Sequence, residues 1–437
     1  MLNTVMKGEK VMRYNVMIFP AGTEIGLEIH NALKMSKFVN VFGASSIMDH
    51  SMSVYKNIIF PIPFFNENHF IEEINVAIER NNIDYIYPAR DDVQLFLMQN
   101  RDKIHCKIVS SPLETVEICR SKLKTYHNLI TQDFIPKLYS NINEIVSYPV
   151  FFKPSVGEGS NGVRKVNSRE ELSDKDFNNQ NVICEYLPGM EYTIDCFTDK
   201  NGFLKIIKMR DRSRIKAGIS VHSKIMETDK QIEYIANALN GKFDFVGAWF
   251  FQVKKDACGN YKLMEVSPRI PGTMGLSRNC GINFPLLTLY TFESIDVDII
   301  DNNYEIELDR AFINRYSINI KYDYVYVDLD DTLIVDNKVN QFLIMFLYQA
   351  KNKGKKLILL TRHKENPQDT LKKFSISEML FDGIIHINMD DKKSDYISES
   401  KAIFIDDSFA ERKDVKEKQG IPVFDLDMIE SLIDWRI

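Results

Sequence analysis

The chain has 437 residues, 27% of them charged, a formal net charge of −6 and six scattered cysteines. Its length allows roughly two to four domains with separate cores, and the acidic balance, with no basic arm, argues against nucleic acid or an anionic membrane as partner. With no C-x-x-C pair neither a zinc site nor a disulfide framework is indicated, and no apolar run approaches the length that spans a bilayer.

Residues 1 to about 12 read as a loose leader, with Met12 as an alternative start, and no signal-peptide core follows. The expected location is the reducing cytoplasm. Asn15–Phe19 reads as a buried strand that ends in PAGTEIG and leads into a helical pattern, as in a Rossmann-like half. Further strands are expected at Val39–Gly43 and Tyr85–Pro88, helices at Phe70–Arg80 and through VQLFLMQN, and no complete G-x-G-x-x-G fingerprint is present. Arg90 and Asp92 stand where a strand end would offer groups to a substrate.

One helix is expected within Pro112–Leu129, carrying Lys122 and Lys124. The stretch Tyr148–Val163 then places an apolar strand, Lys153, and a loop with Gly157, Gly159, Ser160 and Gly162 in succession. Glycines let main-chain N–H groups approach an anion closely, and the lysine adds a fixed positive charge. An ordinary hairpin is the other reading of this stretch. It is no Walker A loop, since no Gly-Lys-Ser/Thr closes it. A strand at Val182–Tyr186 runs into EYLPGMEYTIDCF, and the segment Ile206–Gly218 is rich in bases. Its Arg210, Arg212, Arg214 and Lys216 suit an anionic substrate, or equally a solvated turn. After a helix near Ile232–Leu239, strands Ala248–Lys254 and Tyr261–Val266 follow, the second ending in MEVSPRIPGTMG. A carboxylate at the end of an apolar strand, Glu265, calls for a hard cation or a basic partner, and Gln252 offers a second oxygen.

The order Lys122, Lys153, glycine loop, EYLPG, Glu191, basic segment, Gln252, Glu265, Arg269 resembles the ATP-grasp superfamily over roughly residues 14–310, nearest to single-module relatives of the carbamoyl-phosphate synthase large subunit. The resemblance implies an α/β protein with a Rossmann-like pre-ATP-grasp domain (1–112) and an α+β ATP-grasp domain (113–315). It implies that Lys122, Lys153 and the loop hold ATP phosphates, that Glu185, Tyr186 and Leu187 meet the adenine edge, and that Glu191 takes the ribose. Gln252, Glu265 and Ser267 would hold Mg²⁺ (or Mn²⁺). Relatives commonly read E-x-N-P-R where this chain has Glu265-Val266-Ser267-Pro268-Arg269, and serine is the poorer ligand. Arg269 would clamp the phosphoryl group, or form a structural salt bridge, and Gly272 to Ser277 would line the acceptor pocket.

From Tyr324 the pattern changes. YVYVDLDDTL, LILLTR and AIFIDDS are apolar strands ending on Asp328/Asp330/Asp331, on Thr361, and on Asp406/Asp407, with Lys392 and Lys393 between the last two. Parallel strands that gather Asp, Thr, Lys and Asp at one edge make a Mg²⁺–phosphate site. These motifs resemble the haloacid dehalogenase (HAD) superfamily of phosphatases over residues 322–437. The resemblance implies a Rossmannoid domain with Asp328 as nucleophile, Asp330 as acid and base, Thr361 and Lys393 on the phosphoryl oxygens, and Asp406 and Asp407 completing a metal site with Asp328 and Asp330. About 28 residues separate Thr332 from Thr361, one helix with a turn, so the cap is expected to be minimal and the site open or covered by the ATP-grasp domain.

The function expected from the two resemblances is bifunctional. Mg·ATP would drive ligation of a small-molecule carboxylate to an amine through an acyl phosphate, and a phosphorylated small molecule would be hydrolysed. An ATP-dependent small-molecule kinase and a non-catalytic nucleotide-binding protein are the alternatives. No nucleic acid or membrane partner is expected, and a homodimer is compatible with the sequence.

Overall fold

The computed structural model describes residues 13–436, positions 158, 160, 217 and 303 excepted. Ser160 of the glycine loop and the leader therefore lie outside the described residues. The chain divides into two compact units, Met1–Phe312 and Ile313–Ile437.

The first sheet of the N-terminal unit is parallel, built from β1 (Tyr14–Phe19), β2 (Val39–Ala44), β3 (Asn57–Ile59), β4 (Tyr85–Pro88) and β5 (Lys107–Ile108) in the order β3-β2-β1-β4-β5. Its central strand is an apolar run with Val16 to Phe19 buried, as a sheet covered on both faces requires. Helices α1 (Glu24–Leu33), α2 (Phe70–Arg80) and α3 (Asp91–Gln99) cross over it; Thr23 caps α1 by accepting the Gly26 N–H. Where one helix was expected there are two, α4 (Leu113–Arg120) and α5 (Lys122–Asn128). Ser121 breaks them, with extended angles and a hydroxyl that accepts the Lys124 N–H.

A three-stranded antiparallel sheet follows, β6 (Val150–Pro154), β7 (Arg164–Val166) and β8 (Asn181–Glu185), in the order β7-β6-β8. The largest sheet contains β9 (Glu191–Thr198), β10 (Leu204–Asp211), β11 (Arg214–Lys216), β12 (Ile219–Met226), β13 (Gly247–Lys255) and β14 (Tyr261–Ser267), ordered β11-β12-β10-β9-β13-β14, with β15 (Glu307–Asp309) on β12. The basic segment is thus two strands rather than a loop. Helix α6 (Lys230–Lys242) buries Ile232, Ile235, Ala236 and Leu239 in a core with Trp249, Phe251 and Val253, while α7 (Gly275–Asn279) and α8 (Phe284–Phe292) follow β14.

The C-terminal unit has one parallel sheet of β16 (Tyr324–Val327), β19 (Lys356–Thr361), β20 (Gly383–His386), β21 (Ala402–Ile405) and β22 (Val423–Phe424), ordered β20-β19-β16-β21-β22, with helices α9 (Gln341–Asn352), α10 (Pro367–Lys373) and α11 (Phe409–Gln419). Between Thr332 and α9 the chain makes a hairpin, β17 (Ile334–Val335) and β18 (Lys338–Val339), beyond the single helix and turn expected. Asp336 and Asn337 both take positive φ, near 50° and 57°, as a two-residue hairpin turn requires. No helix among the described residues is long and apolar enough to cross a membrane.

Candidate functional site

Strand register builds the N-terminal site. Glu265 on β14 pairs with Gln252 on β13, Gln252 with Thr193 on β9, and Thr193 with Arg210 on β10. Directly paired residues share a face, so the four form one polar row across four strands. Two adjoining cavities of about 200 and 180 Å³ lie along this face and share Lys122, Gly157, Gly159, Arg212, Gly218, Gln252 and Glu265 in their walls.

One end adds Lys153, Glu191 and Met264. Lys153 is 5% exposed, and its Nζ donates to the Tyr126 hydroxyl at 2.6 Å, which donates in turn to the Met264 carbonyl at 2.8 Å. Burial lowers the Lys153 pKa, partly opposed by Cys184 and Glu265, and Lys122 is lowered in the same way against Glu265. The Lys122 Nζ donates to the Gly157 carbonyl at 3.2 Å and stands 4.0 Å from Glu265. Glu191, expected to take a ribose, holds Arg212 at 2.6 Å. Gly159 and Gly162 have positive φ. A Cβ on Gly218 would lie 2.5 Å from the Gly159 carbonyl carbon, so the glycine loop and the β11–β12 turn meet main chain to main chain.

The other end adds Glu24, Asp91, Arg120, Arg210, Ser267, Arg269, Gly272 and Arg310. Asp91 opens α3, accepts from the Ser267 hydroxyl at 2.8 Å and pairs with Arg269 at 2.5 Å. Burial would raise the Asp91 carboxyl, but the guanidinium beside it outweighs burial and holds it down at about 2. It is Asp91, rather than Asp92, that faces the cleft; Asp92 pairs with Arg90 at 2.5 Å. Arg210 is buried against Asp195, a diagonal neighbour on the adjacent strand, at 3.0 Å.

Several expected groups stand elsewhere. Arg214 pairs with Asp309 at 2.7 Å and lines neither cavity, because the strand pair β11–β12 carries it to β15. Ser277 is buried on α7 near Asp195, its hydroxyl 3.3 Å from that carboxylate, and does not reach the cavity wall. Glu185 accepts the Lys137 N–H at 2.8 Å, Tyr186 receives the Lys165 ammonium on its ring, and Leu187 is buried; none of the three is in the cavity walls. Tyr126, Glu24 and Arg310 were not singled out as site residues, since each comes from a separate element, and Asp91 stands between the Arg90 and Asp92 that marked the strand end.

In the C-terminal unit the groups follow strand ends. Asp328 after β16 and Asp406 after β21 both touch the Lys393 Nζ, at 2.7 and 2.6 Å, and all three are almost fully buried. Burial raises the Asp328 carboxyl against the pull of Lys393; burial and the neighbouring Asp328 charge push Asp406 up to about 6. For Lys393 burial acts downward, but the two carboxylates reverse it and the pKa is raised. Carboxylate oxygens of Asp328, Asp406 and Asp407 lie within 4.8 Å of one another, a spacing that fits one divalent cation. Thr332 donates to Asp407 at 3.0 Å and accepts its N–H at 3.0 Å, fixing that carboxylate. Thr361 is buried at the end of β19. Asp330, expected among the metal ligands, is outside this cluster: its carboxylate meets the His363 Nδ1 at 2.9 Å, and the His363 Nε2 meets the Thr370 hydroxyl at 2.7 Å. His363, two residues beyond Thr361, carried no sequence signal.

Residues 177–309 match a family model described as ATP-grasp in the biosynthetic pathway with Ter operon. No curated protein matches the sequence. Among solved structures, the chain is similar to the biotin carboxylase domain of 2-oxoglutarate carboxylase from Hydrogenobacter thermophilus, determined with MgADP and bicarbonate (TM-score 0.54, 15% identity, 66% of this chain and 72% of that one). It is similar to N5-carboxyaminoimidazole synthetase from Staphylococcus aureus with ADP (0.55, 13%, 67% and 82%) and to an L-amino acid ligase from Bacillus licheniformis (0.51, 18%, 65% and 75%). The chain therefore contains an ATP-grasp fold, and the matched residues 177–309 lie within its N-terminal unit.

Proposed function

We propose that two domains, 1–112 and 113–315, make up an ADP-forming ligase that joins a small-molecule carboxylate to an amine, and that residues 322–437 form a HAD-type phosphomonoesterase. The observation that carries the first half is the pair of adjoining cavities that share Lys122, Gly157, Gln252 and Glu265, with Lys153 on one and Arg269 on the other. Lys122 and Lys153 counter the charge of ATP phosphates, and Glu191 with Arg212 borders the nucleotide end. Arg269, oriented by Asp91, meets the phosphoryl group in flight. A carboxylate oxygen attacks the γ-phosphorus and ADP leaves; the amine then attacks the acyl carbon, phosphate leaves, and the amine loses a proton. The side-chain oxygens of Glu265 and Gln252, paired across two strands, fit a hard cation, with the Ser267 hydroxyl already engaged by Asp91. Mg²⁺ held there would neutralise charge on the β- and γ-phosphates.

For the second half, the buried Asp328–Lys393–Asp406 cluster with Asp407 supports the reading. Mg²⁺ held by Asp328, Asp406 and Asp407 would offset the charge of the bound phosphate. Asp328 attacks phosphorus, Asp330 gives a proton to the departing oxygen, and the aspartyl phosphate is hydrolysed by water that Asp330 deprotonates. Lys393 and Thr361 hold the phosphoryl oxygens.

The test is ADP release by the Asp328→Asn variant, in which phosphate release by the second site is disabled. ADP formed only when Mg·ATP, a carboxylate and an amine are all present is the expected result. ADP formed with one substrate alone, leaving a stable phosphorylated product, would replace the ligase with a kinase.

A further inference from the structure

The end of the cleft away from the phosphates holds charge that phosphoryl transfer does not use. Arg210 is 1% exposed. Its Nε and Nη2 sit 3.0 and 3.1 Å from Asp195, while its Nη1 is buried without a hydrogen-bonding partner among the described residues. Arg310, just past β15 and held there by its N–H on the Val221 carbonyl at 2.8 Å, has a second buried Nη1 likewise without a partner among them. Both arginines line the same cavity of about 200 Å³. Gly272 adjoins Arg310: a Cβ there would lie 3.6 Å from its Nη1, an ordinary contact.

Two separate groups of charges act in this cavity. Burial lowers the Lys122 ammonium, opposed chiefly by Glu265, and lowers the Arg310 guanidinium, opposed chiefly by Glu24 and Glu28. Glu28 is committed to Arg278 at 2.8 Å. Register sets the span: Arg210 and Glu265 occupy the two ends of the polar row, three strand spacings or about 14 Å apart at the main chain. At that main-chain spacing a substrate with one carboxylate beside Glu265 can present a second group to Arg210. A buried N–H without a partner is costly, and Arg210 repels Arg310 against the pull of Glu24 and Glu28; an oxyanion between the two guanidinium groups pairs both N–H groups. Their planar forks suit a carboxylate or a phosphate.

We propose that the substrate activated at the phosphate end carries a second oxyanion, a carboxylate or a phosphate, gripped by Arg210 and Arg310 at the other end. This rests on the ligase reading above and narrows its acyl substrate to dianions. A monocarboxylate leaves the two buried N–H groups unpaired, which is how a polar pocket rejects an analogue that lacks the matching group.

The test titrates matched pairs by calorimetry into the full chain with Mg²⁺ and a non-hydrolysable ATP analogue: dicarboxylates from malonate to adipate against their monocarboxylates, and phosphoglycolate against glycolate. At least one dianion should bind about tenfold or more tightly than its match, a difference of about 1.4 kcal/mol. Arg310→Met should erase that preference and Arg310→Lys should leave part of it, while both keep wild-type nucleotide affinity and melting temperature. Which pair shows the preference separates a carboxylate from a phosphate. No preference in any pair, or a preference that survives Arg310→Met, overturns the proposal. Loss of nucleotide binding by the wild type counts against the ligase reading instead, and the pairs are titrated without nucleotide as well, so the anion preference is scored in either case.

Discussion

The two candidate sites solve the problem of buried charge in opposite ways. In the C-terminal unit Lys393, from the segment between β20 and β21, neutralises Asp328 and Asp406 directly, and both carboxylates come from the ends of strands in one parallel sheet. The N-terminal cleft leaves guanidinium nitrogens of Arg210 and Arg310 without partners, and its walls come from residues as far apart as Glu24 and Arg310. On the functions proposed above, a small phosphate would enter a site already balanced around one lysine, and a nucleotide with a second substrate would complete the charges of a longer cleft.

If that contrast holds, breaking the balanced cluster does the most damage. Lys393→Met leaves two facing carboxylates in a buried site, and loss of one partner from a buried pair costs about 3–5 kcal/mol. Phosphomonoester hydrolysis, followed with p-nitrophenyl phosphate, should fall by about a thousandfold or more, and the C-terminal unit should melt earlier. A stable, active Lys393→Met enzyme would end the comparison. In the cleft, Asp91→Asn removes the carboxylate that orients Arg269 without emptying a core. ADP formation should drop about a hundredfold, roughly 2.7 kcal/mol, with hydrolysis of p-nitrophenyl phosphate unchanged. Equal losses in both assays would mean that the sites do not work as separate machines.

The same contrast decided what could be read from the sequence. Apolar runs that end on Asp328, Thr361 and Asp406 locate their groups in space, because parallel strands bring their carboxyl ends to one edge. Lys393 lies between two such runs. The polar row of the N-terminal unit depends instead on the register of β9, β10, β13 and β14, which includes a shift between Gln252 and Val253 that no residue pattern announces. Gln252 and Glu265 were legible as an amide and an acid on successive strands; their alignment with Thr193 and Arg210 was not. Arg214 looked equivalent to Arg210 in a basic run, yet strand pairing sends it to Asp309. Ser277 lay in a promising glycine-rich stretch, and a short helix turned it into the interior. Tyr126 reads as one more aromatic on a helix face.

A third effect, smaller, separates the core of the N-terminal unit from its cleft. His30 on α1 is buried against Tyr55, ring centroids 4.3 Å apart, with its Nδ1 lacking a partner. Burial, aided by Lys34, lowers its pKa from 6.5 to about 4. The unfolded chain therefore takes up a proton first as pH falls. The stabilising preference for neutral His30 is complete above pH 6.5 and is lost progressively down to pH 4. At pH 5.5 the loss is about 1.4 kcal/mol. Denaturant titrations from pH 7.5 to 4.5 should show His30→Phe losing less stability than wild type over this window. Identical pH slopes would place the acid sensitivity of this unit elsewhere.

The mildest change tests how the cleft holds its nucleotide end in place. Among the described residues no carboxylate contacts Lys153; its closest partner is the hydroxyl of Tyr126, which is bonded to the main chain of the strand bearing Glu265. Tyr126→Phe keeps the ring that fills the core and removes only that link, worth about 1 kcal/mol. The Lys153 ammonium then depends on the Met264 carbonyl at 3.4 Å. A positioning role predicts that KM for ATP rises about fivefold while KM for the carboxylate and amine stays constant. A purely structural role would lower the melting temperature and leave all three constants in their wild-type ratio. Because Lys153 is bonded to a main chain rather than balanced by an acid, its placement should tolerate the loss of this hydroxyl far better than Asp328 and Asp406 tolerate the loss of Lys393.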